Sequence, residues 1–164
     1  KTMSTRANVK IVDVNGGVIW LYKHHDGYPT HTGDWLHHSF TTRNNSLENV
    51  IDGLVKQGFE RTHEEHGDIN WLYIIRLTED EIDMEIYEYH HESYGNDVTR
   101  VKDSRFSWVG SDAEVWTRYK VYESRLGIEE AQYKLEYWRN READYRVYKA
   151  ENKPESLLKG VKNG

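Results

Sequence analysis

A chain of 164 residues with 37% hydrophobic and 13% aromatic content is long enough for one real core, with aromatic rings carrying much of the burial. Its formal charge of −6 disfavours non-specific contact with nucleic acid or an anionic membrane, since both need a basic footprint. Cysteine is absent, which excludes disulfide staples, thiolate metal sites and a cysteine nucleophile, and no apolar run is long enough to span a bilayer or to form a signal-peptide core.

Lys1-Thr2 reads as an added remnant, with Met3 the expected natural start. Residues 7–14 alternate, with Val9 and Ile11 on one face and Lys10, Val12 and Val14 on the other. Asn15-Gly16 then signals a hairpin, because both residue types accept positive φ, and Val18–Lys23 is the returning strand. Ser46 caps a helix whose apolar stripe is Leu47, Val50, Ile51, Leu54 and Val55, closed by Gly58. Residues 69–77 are aromatic and β-branched and predict a central strand, with 82–90 returning antiparallel to it. Residues 91–103 are polar and predict a loop around Gly95-Asn96-Asp97. Short and long strands are predicted over 104–109 and 113–123. From Gly127 the period changes to the helical spacing of Ile128, Ala131, Leu135 and Trp138. Past Glu142 the pattern fits helix or strand, with helix preferred on propensity, and Pro154 is expected to end it.

The predicted architecture is a single α+β domain over 3–153, an antiparallel sheet of about six strands with two helices packed on it. Residues 154–164 are expected to be a frayed tail. Tyr133, Tyr137, Trp138 and Tyr145 make the last helix more apolar than one contact stripe needs, which points to self-association as a homo-oligomer.

The stretch the rest is organised around is Tyr22–Leu36, Tyr-Lys-His-His-Asp-Gly-Tyr-Pro-Thr-His-Thr-Gly-Asp-Trp-Leu. Asp26 can bond its own backbone two residues on, Gly27 can take positive φ, and Pro29 biases Tyr28 toward an extended conformation. Tyr22, His24 and Asp26 fall on one face by alternation, with His31 and Trp35 across the loop. Rings, imidazoles and a carboxylate so placed can clasp a flat heterocycle, and a ring held by its backbone loses little entropy on binding. Arg6 and Lys23, flanking the hairpin, and Arg43, before the first helix, are the cations near enough in sequence to meet a phosphate, although no Gly-x-x-x-x-Gly-Lys loop exists. The opposing reading is that Asp26 and His24 tie the loop down while Tyr28 plugs the core.

At Tyr22-x-His24-x-Asp26-Gly27-Tyr28-Pro29, and at Ser4-Thr5-Arg6-Ala7 before the hairpin, the chain resembles a group of small uncharacterised proteins of bacteriophages and gut bacteria. The likeness covers about the first quarter of the chain and brings no catalytic residue with it. It implies a phage setting, action in the cytoplasm of a bacterial host, and a counter-defence role such as sequestering a nucleotide signal.

The expectation is therefore a non-enzymatic binder of a small nucleotide-like molecule at Tyr22, His24, Asp26, Tyr28, His31, Trp35, Arg6 and Arg43, with no cofactor and no resident metal. One alternative is a metal-dependent hydrolase or phosphodiesterase using the His/Asp cluster of His24, His25, Asp26, His31, His37, His38, His63, Glu64, His66, Asp68, His90 and His91. Against it, His63-Glu64-Glu65-His66 lacks the His-Glu-x-x-His register, and neighbouring His24 and His25 point apart on a strand. The second alternative is a protein-binding inhibitor whose acidic run, Glu79, Asp80, Glu81, Asp83, Glu85, Glu88 and Glu92, imitates phosphates.

Overall fold

The computed structural model describes residues 4–42 and 46–152. The chain divides into two compact units, residues 1–124 and 125–164.

The first unit is built on a six-stranded sheet: β1 (Ala7–Val12), β2 (Val18–Lys23), β3 (Glu60–Thr62), β4 (Trp71–Leu77), β5 (Ile82–Tyr94) and β6 (Asp97–Gly110). Across the sheet the order is β3-β2-β1-β4-β5-β6. The α+β class holds, but the sheet is mixed. β1 and β4 run parallel, Ala7 opposite Trp71 through Val12 opposite Arg76, and the other pairs are antiparallel. A parallel neighbour needs a crossover rather than a tight turn. Here the connection holds α1 (Asp34–Thr42), α2 (Leu47–Lys56) and β3.

The hairpin between β1 and β2 closes as a five-residue loop. Gly16 alone takes positive φ (+85°), its amide bonds the Asp13 carbonyl at 3.0 Å, and the Asp13 carboxylate accepts from the amides of Asn15 and Gly17, both at 2.8 Å. α2 starts as its sequence requires, with Ser46 Oγ accepting the Asn49 amide at 3.1 Å, and it buries Val50, Ile51 and Leu54.

Three helices, not two, are present among the described residues. The segment 113–123, expected as a strand, opens α3 (Asp112–Glu151). Valine, tryptophan and tyrosine favour strands, but tertiary packing overrides that weak preference. Val115, Trp116 and Tyr119 recur on one helical face and are all buried. The helix also has a start signal: in Ser111-Asp112-Ala113-Glu114, Ser111 Oγ accepts the Glu114 amide at 3.2 Å. The polar stretch 91–103 is likewise not a loop. β5 and β6 run on as a long hairpin, turned at Gly95 (φ +64°) and tied by a polar contact of His90 with Asp103 (3.1 Å) and an ion pair of Arg105 with Glu88 (3.1 Å).

α1, α2 and the first turns of α3 share a core with one face of the sheet: Val9, Ile11, Leu21, Tyr73, Ile75, Met84 and Ile86 meet Leu36, Phe40, Ile51, Leu54, Val115 and Trp116. The other face holds a smaller cluster, Tyr22, Ile69, Leu72 and Ile74, edged by Trp20, Tyr87 and Tyr89. Those edging rings carry cations: Lys10 lies 5.5 Å from the Trp20 centroid, Lys102 4.2 Å from Tyr87 and Arg100 3.7 Å from Tyr89.

His37, whose ring meets Trp116 edge-on at 5.5 Å, is held below its ordinary value of 6.5, by burial first and then by the charge of Lys120. Just below pH 6.5 the unfolded chain thus binds more protons at this residue than the folded one. The stability His37 supports is complete above pH 6.5 and is lost as pH falls through the unfolded value toward the lower folded one. Urea midpoints between neutral and mildly acidic pH should fall less in His37→Gln than in the parent; equal falls would remove His37 from the acid response.

In the second unit, α3 continues from Arg125 to Glu151, as the preferred helical reading past Glu142 anticipates. Every residue from Ile128 to Asn152 is exposed. No helix among the described residues is long and apolar enough to cross a membrane. Pro154 and the expected tail over 154–164 lie outside the described residues.

Candidate functional site

The stretch Tyr22–Leu36 leaves β2, bends, and enters α1. Asp26, not Gly27, takes the positive φ (+55°). Gly27 is required for closeness instead: a Cβ there would stand 2.8 Å from the Ala7 Cβ and 2.8 Å from the Arg6 carbonyl carbon. Its amide bonds the Thr5 carbonyl at 2.9 Å, and its carbonyl accepts the buried Tyr73 hydroxyl at 2.7 Å. Burial, foremost, pushes that phenol's pKa well up, so it stays a donor. Tyr28 is extended (φ −74°, ψ 158°), as the following proline demands, and Pro29–Gly33 then forms one π-helical turn. The turn is locked by the Thr32 hydroxyl on the Asp26 carbonyl (2.7 Å) and by the Tyr119 hydroxyl on the Pro29 carbonyl (2.8 Å).

The residues anticipated as one pocket fall into separate places. Tyr22 is buried on the smaller core face, its hydroxyl donating to Asp68 at 3.0 Å and its ring stacked on His66 at 3.9 Å. Burial first, and the Asp68 hydrogen bond second, raise its pKa. His24 stands edge-on to Tyr22 at 4.5 Å and bonds Glu60 at 3.0 Å. Asp26, Tyr28 and His31 form a second group, with the Tyr28 hydroxyl 3.3 Å from Asp26, His31 Nε2 3.9 Å from the same carboxylate, and the half-buried Tyr28 ring packed against the main core. His31 Nδ1 is buried with no hydrogen-bond partner among the described residues. Trp35 is half-buried on α1 beside His38. Arg43 lies outside the described residues.

Arg6, one of the anticipated residues, lines a cavity. A cleft of about 360 Å³ opens beneath it, walled by the loop 67–70 and by Tyr89, His91 and Arg100 of the β5–β6 hairpin. The loop is pinned at both ends. Arg6 exchanges bonds with Asn70, its carbonyl accepting the Asn70 amide at 2.8 Å and its amide donating to Asn70 Oδ1 at 3.1 Å. The Asn8 side chain, wholly buried, accepts the His66 amide at 2.6 Å and donates to the Leu21 carbonyl at 2.8 Å. Ile69 is buried as an apolar anchor.

The cleft brings two guanidinium groups to one hollow. Arg100 lies 3.7 Å over the Tyr89 ring and donates to the Ile69 carbonyl at 2.8 Å, so the group is held from two directions while part of its five-donor fork is unused among the described residues. Arg6 makes a 3.4 Å ion pair with the exposed Asp68. Burial, then the nearby Glu65 carboxylate, raises the Tyr89 phenol, whose hydroxyl donates to Glu65 at 3.2 Å. Arg100, Tyr89 and Asn70 escape sequence reasoning, because their convergence depends on strands β5 and β6 extending through 91–103.

Among the described residues no three His, Asp or Glu side chains are grouped to hold one metal ion. The acidic run is partly neutralised: Arg76 pairs with Glu85 (2.6 Å) and Asp83 (3.3 Å), and Glu88 with Arg105 (3.1 Å). Burial pushes the Glu85 carboxyl up, but bonds from Arg76 and Tyr87 outweigh it and hold the group below its usual value. A second hollow of about 290 Å³, between Phe40, Val50 and Ile82, is mostly apolar. The chain matches no family model, no curated protein and no solved structure.

Proposed function

We propose that this protein binds a small anionic, nucleotide-like molecule in the cleft under Arg6 and Arg100, and returns it unchanged. The reading is carried by one observation, a guanidinium held 3.7 Å over the Tyr89 ring and by the Ile69 carbonyl in a hollow it shares with a second arginine. A planar fork fixed before the ligand arrives matches phosphate or carboxylate oxygens in pairs, and the guanidinium plane can also stack a base. A volume of about 360 Å³ lies within the range of small-ligand sites, about 300–1,000 Å³. A hydroxyl–imidazole contact reaches the cleft wall, Ser4 Oγ with Nδ1 of the exposed His25 at 2.8 Å, while no metal-ligand group stands there among the described residues, and the state of the recovered ligand decides between retention and reaction. The phage setting and the sequestering of a host defence signal, within a bacterial cytoplasm, are supported by the sequence resemblance.

Titration calorimetry against mononucleotides and cyclic dinucleotides tests this. Arg100→Ala should weaken binding by about tenfold or more, worth about 1.4 kcal/mol. Tyr28→Ala should leave affinity within about twofold, because its ring lies outside the cleft walls. Chromatography of the recovered ligand should show it intact. Heat lost in Tyr28→Ala and kept in Arg100→Ala would move the site to the bend after β2, and a cleaved ligand would make the protein a hydrolase.

A further inference from the structure

The second unit displays an apolar stripe of exposed residues. Ile128, Ala131, Leu135, Trp138 and Tyr145 follow the alternating three- and four-residue steps of a coiled-coil seam, with Glu142 completing the series. Leu135 is 51% exposed and Trp138 63%. At about 100° per residue, the positions beside the stripe are Arg125, Arg139 and Arg146 on one side and Lys134 and Arg141 on the other. Glu129, Glu130, Glu136 and Asp144 fall on the far side, together with the exposed Tyr133 and Val147. Arg146 is paired with Glu142 at 2.6 Å and Arg141 reaches the Tyr137 hydroxyl at 3.2 Å. Arg125, Lys134 and Arg139 have no ion pair among the described residues.

These flanks select the occupant. In a parallel pair of two copies, Lys134 would face Arg139 and Arg141 would face Arg146, while Glu142 would oppose itself across the seam. In an antiparallel pair each flank meets its own kind, again positive against positive. Self-association, which composition alone suggested, therefore sets like charges together in either orientation. An anionic membrane would suit the arginines but would have to bury Glu142.

We infer that this face docks an amphipathic helix of another protein whose apolar seam is flanked by Glu and Asp and carries a basic residue opposite Glu142. The probe is a synthetic three-heptad helix with a Leu/Ile seam, Glu flanks and one Lys opposite Glu142, set beside a twin with Lys flanks. Fluorescence anisotropy with the full chain should show the Glu-flanked helix binding about tenfold or more tighter at about 50 mM salt, with the gap closing near about 500 mM. Leu135→Glu should abolish binding, and Lys134→Glu combined with Arg139→Glu and Arg141→Glu should reverse the preference. Exposed as these positions are, circular dichroism of each variant should match the parent. Equal binding of the twins, no binding of the Glu-flanked helix, attachment to phosphatidylserine vesicles in its place, or a dimer by light scattering that Leu135→Glu dissolves would each overturn the assignment.

Discussion

Gly33→Ala should destabilise the first unit by about 3 kcal/mol, mainly through overpacking of a full core. Gly33 shows no positive φ, so backbone strain is not the cause. A methyl group there would overlap the Tyr119 hydroxyl oxygen, and the ring carbon bearing it would stand only 2.6 Å away. Tyr119 cannot swing aside freely. It is 1% exposed, its ring packs against Trp116 at 5.8 Å and Phe106 at 6.0 Å, and its hydroxyl lies 2.8 Å from the Pro29 carbonyl and 2.9 Å from Glu123. Burial first, then the nearby Tyr73 and Glu123, drive that phenol's pKa far upward, so it keeps its proton across the whole range in which the protein can be studied.

A double-mutant cycle separates this contact from a general effect of the methyl group. Tyr119→Phe alone should cost about 1 kcal/mol for the lost hydrogen bond. Combined with Gly33→Ala it should cost less than the two separate losses, by about 1 kcal/mol or more, because the overlapping oxygen is gone. The rescue will be partial, since the ring carbon remains too close. Additive losses in chemical denaturation would show that the two residues do not compete for one space.

This contact also shows how far sequence reasoning reaches. The hairpin of β1 and β2, the α2 stripe and the pairing of β4 with β5 are local patterns, set by alternation, a serine cap and short turns. What holds the bend after β2 is not local. Gly33 meets Tyr119, and Gly27 meets Ala7 and the Tyr73 hydroxyl, so Gly27 serves close approach where turn chemistry was the visible reason to place it. The start of α3 was hidden by strand-favouring residues, although Ser111 and Glu114 mark its first turn. α1 buries Leu36, Ser39 and Phe40 at helical spacing, but His37, His38 and the threonines mask the pattern. β6 beyond the core mixes charged and small side chains without a regular period and is held by cross-strand polar and cation–ring contacts, which periodicity does not reveal. The cleft inherits that blindness. Its walls come from the N-terminal segment, the loop 67–70 and two strands; Arg6 was named for ligand binding, while Asp68 and His91 were named only for a metal.

Asn8→Ala should cost about 2–3 kcal/mol and should loosen the cleft more than the rest of the sheet. Asn8 sits on the cluster face of β1 with no exposed surface, and both ends of its amide are used. Removing it leaves the His66 amide and the Leu21 carbonyl without their 2.6 Å and 2.8 Å partners in a place water does not readily reach. The consequence travels along the chain. His66 leads into Asp68, Ile69 and Asn70, and the Ile69 carbonyl helps to hold Arg100 in place. A loop freed at one anchor samples more conformations, so a ligand must pay the ordering entropy that Asn8 had already removed. Amide exchange at residues 66–70 should therefore accelerate in Asn8→Ala while exchange in β4 and β5 tracks only the global loss. Nucleotide affinity measured where the variant is still folded should fall severalfold, with Arg100 unaltered. Unchanged exchange at the His66 amide would mean that Ile69 and Asn70 hold the loop unaided, and that Asn8 contributes stability without shaping the site.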